Sequence, residues 1–170
     1  MDKLKHWHAV FTASRAEKKV RDRLEELGVE CFLPVQTVLR QWTYRKSRVV
    51  VPVIAGLVFV RVGRQEHVKV LQTKGVVAFL RLKGEAGAAV IPDKQMEDFR
   101  FLLDFSEEAV EMTNENIKAG DLVRVMKGSL RGMEGELIRH KGVTKVLVRI
   151  DMLGCAMVNI PASFVEKLNK

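Results

Sequence analysis

The chain has only two cysteines, four prolines and one tyrosine among its 170 residues, and no long apolar run. Each shortage closes off a class of protein. Cys31 and Cys155 cannot build the disulfide framework of a small secreted scaffold, and both are expected to be reduced, space-filling thiols. The apolar stretch from Val49 to Val60 is broken by Pro52 and Gly56 and falls short of the ~20 residues that span a bilayer. Met1 to His8 carries two lysines but no apolar core of the secretory kind. No membrane association and a cytoplasmic location are therefore expected. There is no Walker loop, nucleophile elbow or Cys-x-x-Cys pair, so neither an enzyme nor a cofactor is expected. His6 and His8 share one face of an extended segment. Without a clustered third ligand, surface or core roles are expected for them and no metal site.

Charge is plentiful: 29 Lys and Arg against 21 Asp and Glu. Residues 1–103 hold 19 basic and 11 acidic groups, residues 118–170 hold 10 and 5, and residues 104–117 hold five acids and no base. Two basic blocks thus flank an acidic stretch. Blocks of this kind suit a polyanion, although many proteins are as basic without binding nucleic acid. The segment Asp104–Asn116 is polar and weakly periodic, and reads as a linker.

Upstream of it, strand-like and helix-like patterns alternate. Strands are expected at Trp7–Thr12, Glu30–Val35, Val49–Val51, Leu57–Val62 and Val76–Leu80, with helices at Arg15–Leu27, Arg64–Thr73 and Asp93–Leu103. That is an α+β sandwich of antiparallel sheet and three helices. Ser14 and Glu17 form an S-x-x-E capping box for the first helix, Ala16, Val20, Leu24 and Leu27 its apolar stripe, and Gly28 its left-handed cap. Arg15, Lys18 and Lys19 then crowd its N-terminal turns, and Glu25 and Glu26 its last turn, against the helix dipole. Helix stability does not explain that order, which marks the basic end either as functional or as an indifferent solvated face. Downstream, Leu122–Met126, Glu136–Arg139, Lys145–Ile150, Ala156–Ile160 and Phe164–Leu168 read as five short strands separated by glycine turns, enough for a small barrel.

Gly120-Asp-Leu-Val-Arg-Val-Met-Lys-Gly-Ser-Leu-Arg-Gly-Met-Glu-Gly135 resembles the KOW motif of NusG-type factors. The N-terminal block resembles their NGN domain through Trp7-His-Ala-Val-Phe-Thr12, Cys31-Phe-Leu-Pro34, Ala55-Gly-Leu-Val-Phe-Val60 and Thr73-Lys-Gly-Val-Val-Ala-Phe79, in the family's order. The resemblance covers residues 5–169. It implies an NGN domain (1–103), the acidic linker (104–117) and an SH3-like five-stranded KOW barrel (118–170) in a monomeric transcription elongation, termination or antitermination factor.

What the resemblance implies about sites follows residue by residue. Phe11, Ile54 and Leu57 match positions of an apolar surface that grips the clamp helices of the largest subunit of RNA polymerase; an ordinary core role is the other reading of Ile54 and Leu57. Lys19, Arg23, Thr73 and Lys74 match positions that contact the non-template DNA strand in the specialised paralog RfaH. Arg45 and Lys46 belong to a second nucleic-acid candidate, Arg40–Arg48, in which four bases interleave with Trp42 and Tyr44 without an acid; a solvated hairpin tip is its plain alternative. Met152 and Leu153 lie where the family docks the ribosomal protein NusE or Rho, with Leu153 in place of an aromatic. Glu66-His67-Val68 replaces the His-Thr-Thr run of RfaH. The short N-terminus and basic helix resemble the UpxY and RfaH paralogs, and the general factor stays open. Glycines and alternating Val and Ile favour a barrel over a helical hairpin for the C-terminal block. The other reading of the whole chain is an RNA-binding or ribosome-associated KOW protein.

Overall fold

The computed structural model describes residues 4–168, so the part of the N-terminal reading that falls on Met1–Lys3 lies outside the described residues. Proximity divides the chain into two compact units. One contains the described residues up to Val35 together with Ile54–Asp93, the other Gln36–Val53 with residues from Lys94 onward. This grouping cuts the chain elsewhere than in the acidic stretch.

The first unit is built on an antiparallel sheet of β1 (His6–Thr12), β2 (Glu30–Phe32), β5 (Leu57–Val62) and β6 (Val76–Phe79), in the order β2-β5-β1-β6. Alternation explains the layering. Val10 of β1 and Val58, Val60 and Val62 of β5 face one side of the sheet, where they pack with Val20 and Leu24 of α1 (Glu17–Glu26) and Val70 of α2 (His67–Leu71). A 3-10 turn at Arg64–Glu66 leads into α2, and Glu66 folds back to accept the Gly63 N–H at 3.2 Å.

The first helix differs from expectation at its start. It begins at Glu17, not Arg15, and Ser14 makes no cap. Arg15 is instead in the left-handed region (φ 60°) within a turn closed by Ala16 N–H to Ala13 O. The Glu17 carboxylate, freed from any capping box, accepts the Gly56 N–H at 2.8 Å and is buried there. Arg15 is left outside the helix, and Glu17 and Arg23 suit the dipole, but Lys18 and Lys19 remain in the first turn and Glu25 and Glu26 in the last, so most of the expected conflict persists. The C-terminal end is as expected: Gly28 at φ 77° lets its own N–H reach Glu25 O and Val29 N–H reach Leu24 O. Leu27 falls off the expected apolar stripe and is exposed.

In the second unit β3 (Val35–Gln41) and β4 (Lys46–Pro52) form a two-stranded hairpin, and α3 spans Asp93–Phe105. Its main sheet is antiparallel in the order β12-β8-β9-β10-β11-β7: β7 (Glu111–Thr113), β8 (Asp121–Val125), β9 (Glu134–His140), β10 (Val143–Ile150), β11 (Gly154–Asn159) and β12 (Val165–Lys167). Ile138, Leu147, Cys155 and Met157 form a core packed by Ile117, while Val146, Val148 and Ile150 alternate with that row and are buried as well. Six strands replace the expected five, because the acidic stretch itself supplies β7, pairing Cys155 with Thr113 and Met157 with Glu111. A Cβ on Gly154 would collide with the Thr113 carbonyl, so glycine is what admits this strand. Glu136 then ties the stretch down: it accepts the Gly120 N–H at 3.0 Å and Arg149 Nε at 2.7 Å, and Arg149 Nη2 donates to Ile117 O at 2.7 Å. Among the described residues this block is made of β-strands and one 3-10 turn at Ala162–Phe164, with no helical hairpin. No helix among the described residues is long and apolar enough to cross a membrane.

Candidate functional site

In the first unit, Trp7, Ala9 and Phe11 share the sheet face opposite to α1, in a row with Arg61, Phe59 and Leu57 of β5. Exposure along β1 jumps from 0% at Ala9 to 40% at Phe11, so the row surfaces at its end and presents an aromatic ring. Leu57 lies directly across from Phe11 but is only 1% exposed. It backs the ring from within and offers no contact surface of its own. Ile54 is half-buried in the turn before β5. That turn is fixed through Gly56, whose N–H goes to Glu17 and whose carbonyl accepts the Thr12 N–H at 2.9 Å. A residue the sequence did not single out joins this edge. The register of β1 and β6 shifts between Phe11 and Thr12, and the extra residue, Val77, is 65% exposed. A bulge of this kind leaves no trace in apolar periodicity.

The second cluster lies where α1 meets the turn after α2. Arg23 Nη1 donates to Lys74 O at 2.8 Å and Lys69 Nζ to Leu27 O at 3.1 Å, so two cations are held in place by backbone carbonyls. Together with Glu26 and Gln72 these groups line a groove of about 380 Å³. The approach is close. At Gly75 (φ 97°) a Cβ would come 2.7 Å from Val20 Cγ2, which only glycine avoids. Lys19 and Lys74 are exposed and available to an anion. Thr73 is not: it is buried and its hydroxyl donates to Lys69 O at 2.9 Å, an i−4 bond that finishes α2. Glu66 and His67 are likewise occupied. Glu66 also pairs with Lys5 at 3.4 Å, and the His67 ring lies 4.7 Å from that of Phe79, leaving Val68 as the exposed member of the three.

His8 is buried beside this aromatic pair. Its Nδ1 lies 2.8 Å from Ala89 O, so it must carry the proton and donate, and the ring packs edge-on to His67. Burial lowers the pKa of both imidazoles. Among the described residues no group of three His, Cys, Asp or Glu is arranged to hold a metal ion. Burial, with Glu25 nearby, pushes the Cys31 thiol up to about 11.

In the second unit, Arg45 and Lys46 are exposed at the end of the β3–β4 hairpin, beside Trp42 and Tyr44. Met152 and Leu153 form the β10–β11 turn. Met152 is exposed in the left-handed region (φ 69°), an uncommon backbone for methionine. The turn is braced from α3, since Gln95 Oε1 accepts the Asp151 N–H at 2.8 Å and Gln95 Nε2 donates to Asp151 Oδ1 at 2.9 Å.

Residues 5–100 match the family model described as transcription termination factor nusG. Among solved structures, one of Thermotoga maritima NusG that describes its domain interaction is 23% identical, with a TM-score of 0.52 over 97% of this chain and 98% of that one. An MjSpt4:Spt5 complex is 17% identical over 96% of this chain and 97% of that one, with a TM-score of 0.31. No curated protein sequence matches the chain significantly.

Proposed function

Because the chain belongs to the NusG family of transcription factors, which are non-enzymatic, we propose that it works as a monomer riding on RNA polymerase through the edge around Phe11. The observation that carries this reading is the exposed aromatic ring at the end of a row whose Trp7, Ala9, Phe59 and Leu57 are buried. An aromatic anchor backed by packed side chains is what protein interfaces concentrate their energy in. Phe11 and Ile54 make the contact with the clamp helices of the largest subunit, Val77 extends it, and Leu57 holds Phe11 in place. The NGN module is residues 1–103, the acidic connector 104–117 and the KOW module 118–170.

Lys19 and Lys74 hold the non-template strand by phosphate attraction, with Arg23 adding its charge while it fixes the Lys74 carbonyl and Thr73 shaping the turn that presents them. Arg45 and Lys46 add positive charge on the hairpin. Met152 and Leu153 dock NusE or Rho, a reading supported by an exposed apolar side chain kept in an unfavourable backbone conformation. With its basic helix, the factor acts as an operon-specific regulator of the UpxY and RfaH sort.

Co-purification with RNA polymerase tests the reading. Phe11→Ala should reduce recovery by about tenfold or more, as loss of an interface anchor does, while thermal melting stays close to that of the parent. Undiminished recovery by Phe11→Ala would remove the polymerase contact from this edge. Transcription in vitro across a terminator, with and without Rho, then reads whether the effect favours or opposes termination.

A further inference from the structure

The tip of the β3–β4 hairpin combines three features that folding does not require. The turn Thr43-Tyr44 is closed by Trp42 N–H to Arg45 O at 2.7 Å and by Arg45 N–H to Trp42 O at 3.3 Å, so the tip has a defined shape. The Trp42 indole is anchored, its Nε1–H donating to Ser47 Oγ at 2.6 Å, yet half of the residue is open to solvent. Tyr44 is 97% exposed. Arg40, Arg45, Lys46 and Arg48 surround the two rings, no Asp or Glu occurs from Gln36 to Val53, and no described residue gives any of the four a carboxylate partner. Several cations elsewhere do have carboxylate partners: Arg61 with Glu30, Arg124 with Glu134, Lys145 with Glu111 and Arg149 with Glu136.

Lysines and arginines alone would suffice to keep a hairpin edge from pairing with another chain. Two exposed rings add nothing to that task and leave apolar surface in water. Their use must lie in what they can cover. Bases within a duplex already stack on each other, whereas an unpaired base has two free faces, and aromatic side chains flanked by cations take up base and phosphate together.

We propose that this tip binds single-stranded nucleic acid, with Trp42 and Tyr44 stacking on unpaired bases and Arg40, Arg45, Lys46 and Arg48 on the flanking phosphates. The inference rests on the nucleic-acid part of the proposed function and deepens it, but it needs no polymerase. The anchored indole sets the first stacking plane, and Tyr44 supplies a second that adapts to the strand.

The test uses the full chain with fluorescein-labelled oligothymidylate and oligouridylate of about 15 nucleotides, and a duplex of the same length. Binding of either single strand should quench indole fluorescence. The signal comes from Trp42, since the other tryptophan, Trp7, is buried. Trp42→Ala with Tyr44→Ala should weaken single-strand binding by about 10-fold to 100-fold while the salt slope is kept, and Trp42→Phe, which retains a ring, should restore most of it. Arg45→Gln with Lys46→Gln should instead reduce the slope of log K against log salt by about 1.4. The tighter of the two oligomers identifies DNA or RNA as the natural strand, and either supports the proposal. Equal affinity of the double alanine variant, or a duplex bound as tightly as the single strands, overturns it. The polymerase reading is separable: Phe11→Ala should leave oligonucleotide affinity in place. Loss of polymerase by that variant, together with hairpin variants that bind strands normally, would sink the stacking clamp alone.

Discussion

At the scale of single residues, the chemistry of a side chain was legible in the sequence and its surroundings were not. His6 and His8 stand two apart on one strand, and only the fold assigns His8 to the interior, where it donates to Ala89 O and leans on His67 and Phe79. The consequence is a dependence on pH. Burial, first of all, depresses the pKa of His8 and of His67 in the folded chain. Unfolding therefore takes up protons on acidification. The stability these rings contribute is complete above the unfolded value near pH 6.5 and is lost as pH falls through the lower folded values. Thermal melting of the first unit should fall between about pH 7 and pH 5. His8→Asn, whose amide Nδ2 can take over the bond to Ala89 O, should flatten that dependence; an unaltered slope would place its origin elsewhere. Thr73 and Leu57 teach the same lesson. Each occupies a position that fits a contact role by sequence, and each is withdrawn from solvent by packing that a linear pattern does not contain.

At the scale of elements, strands and helices announced themselves wherever one face is apolar. Leu57–Val62, an apolar run buried on both faces, has the expected bounds, and the five strands of the C-terminal block all occur. The misses have physical causes. The capping box of the first helix was outcompeted because Glu17 found a tertiary partner in Gly56 N–H. β7 was hidden because it is acidic and only three residues long, with its polarity balanced by Lys145, which meets Glu111 at 2.7 Å. The tie at Glu136 was invisible for the same reason, since its partners lie on β10 and in the approach to β8. Because it receives a guanidinium and an N–H at once, Glu136→Ala should lower stability in urea unfolding by about 2 kcal/mol, a figure reduced for the partial exposure of Arg149. Glu136→Gln, which can still accept from Gly120, should cost about half of that. Equal losses for the two would mean that charge matters more than the backbone bond.

At the scale of the whole molecule, the order of motifs carried most of the information: the NGN-like and KOW-like runs together resemble the NusG family where no single motif would suffice, and residues 5–100 match its model. What order could not supply is which cations stay free for a ligand. The structure draws Arg23 and Lys69 onto backbone carbonyls and leaves Lys19 and Lys74 exposed. On the proposed function, Lys19→Ala with Lys74→Ala should weaken recruitment to a preferred non-template sequence and lower the salt slope of binding by about 1.4. An unchanged slope would detach those lysines from the strand.

The little strand Glu111–Thr113 has one more effect. By lying along Cys155–Met157 it covers a flank of the β unit whose amides and carbonyls would otherwise be open to other chains. A fragment excised at residue 118 would discard that guard and bare a ladder of hydrogen-bonding groups to its neighbours. The acidic stretch thus lends a strand to the sheet it precedes, and a fragment meant to keep that edge covered would begin upstream of Glu111.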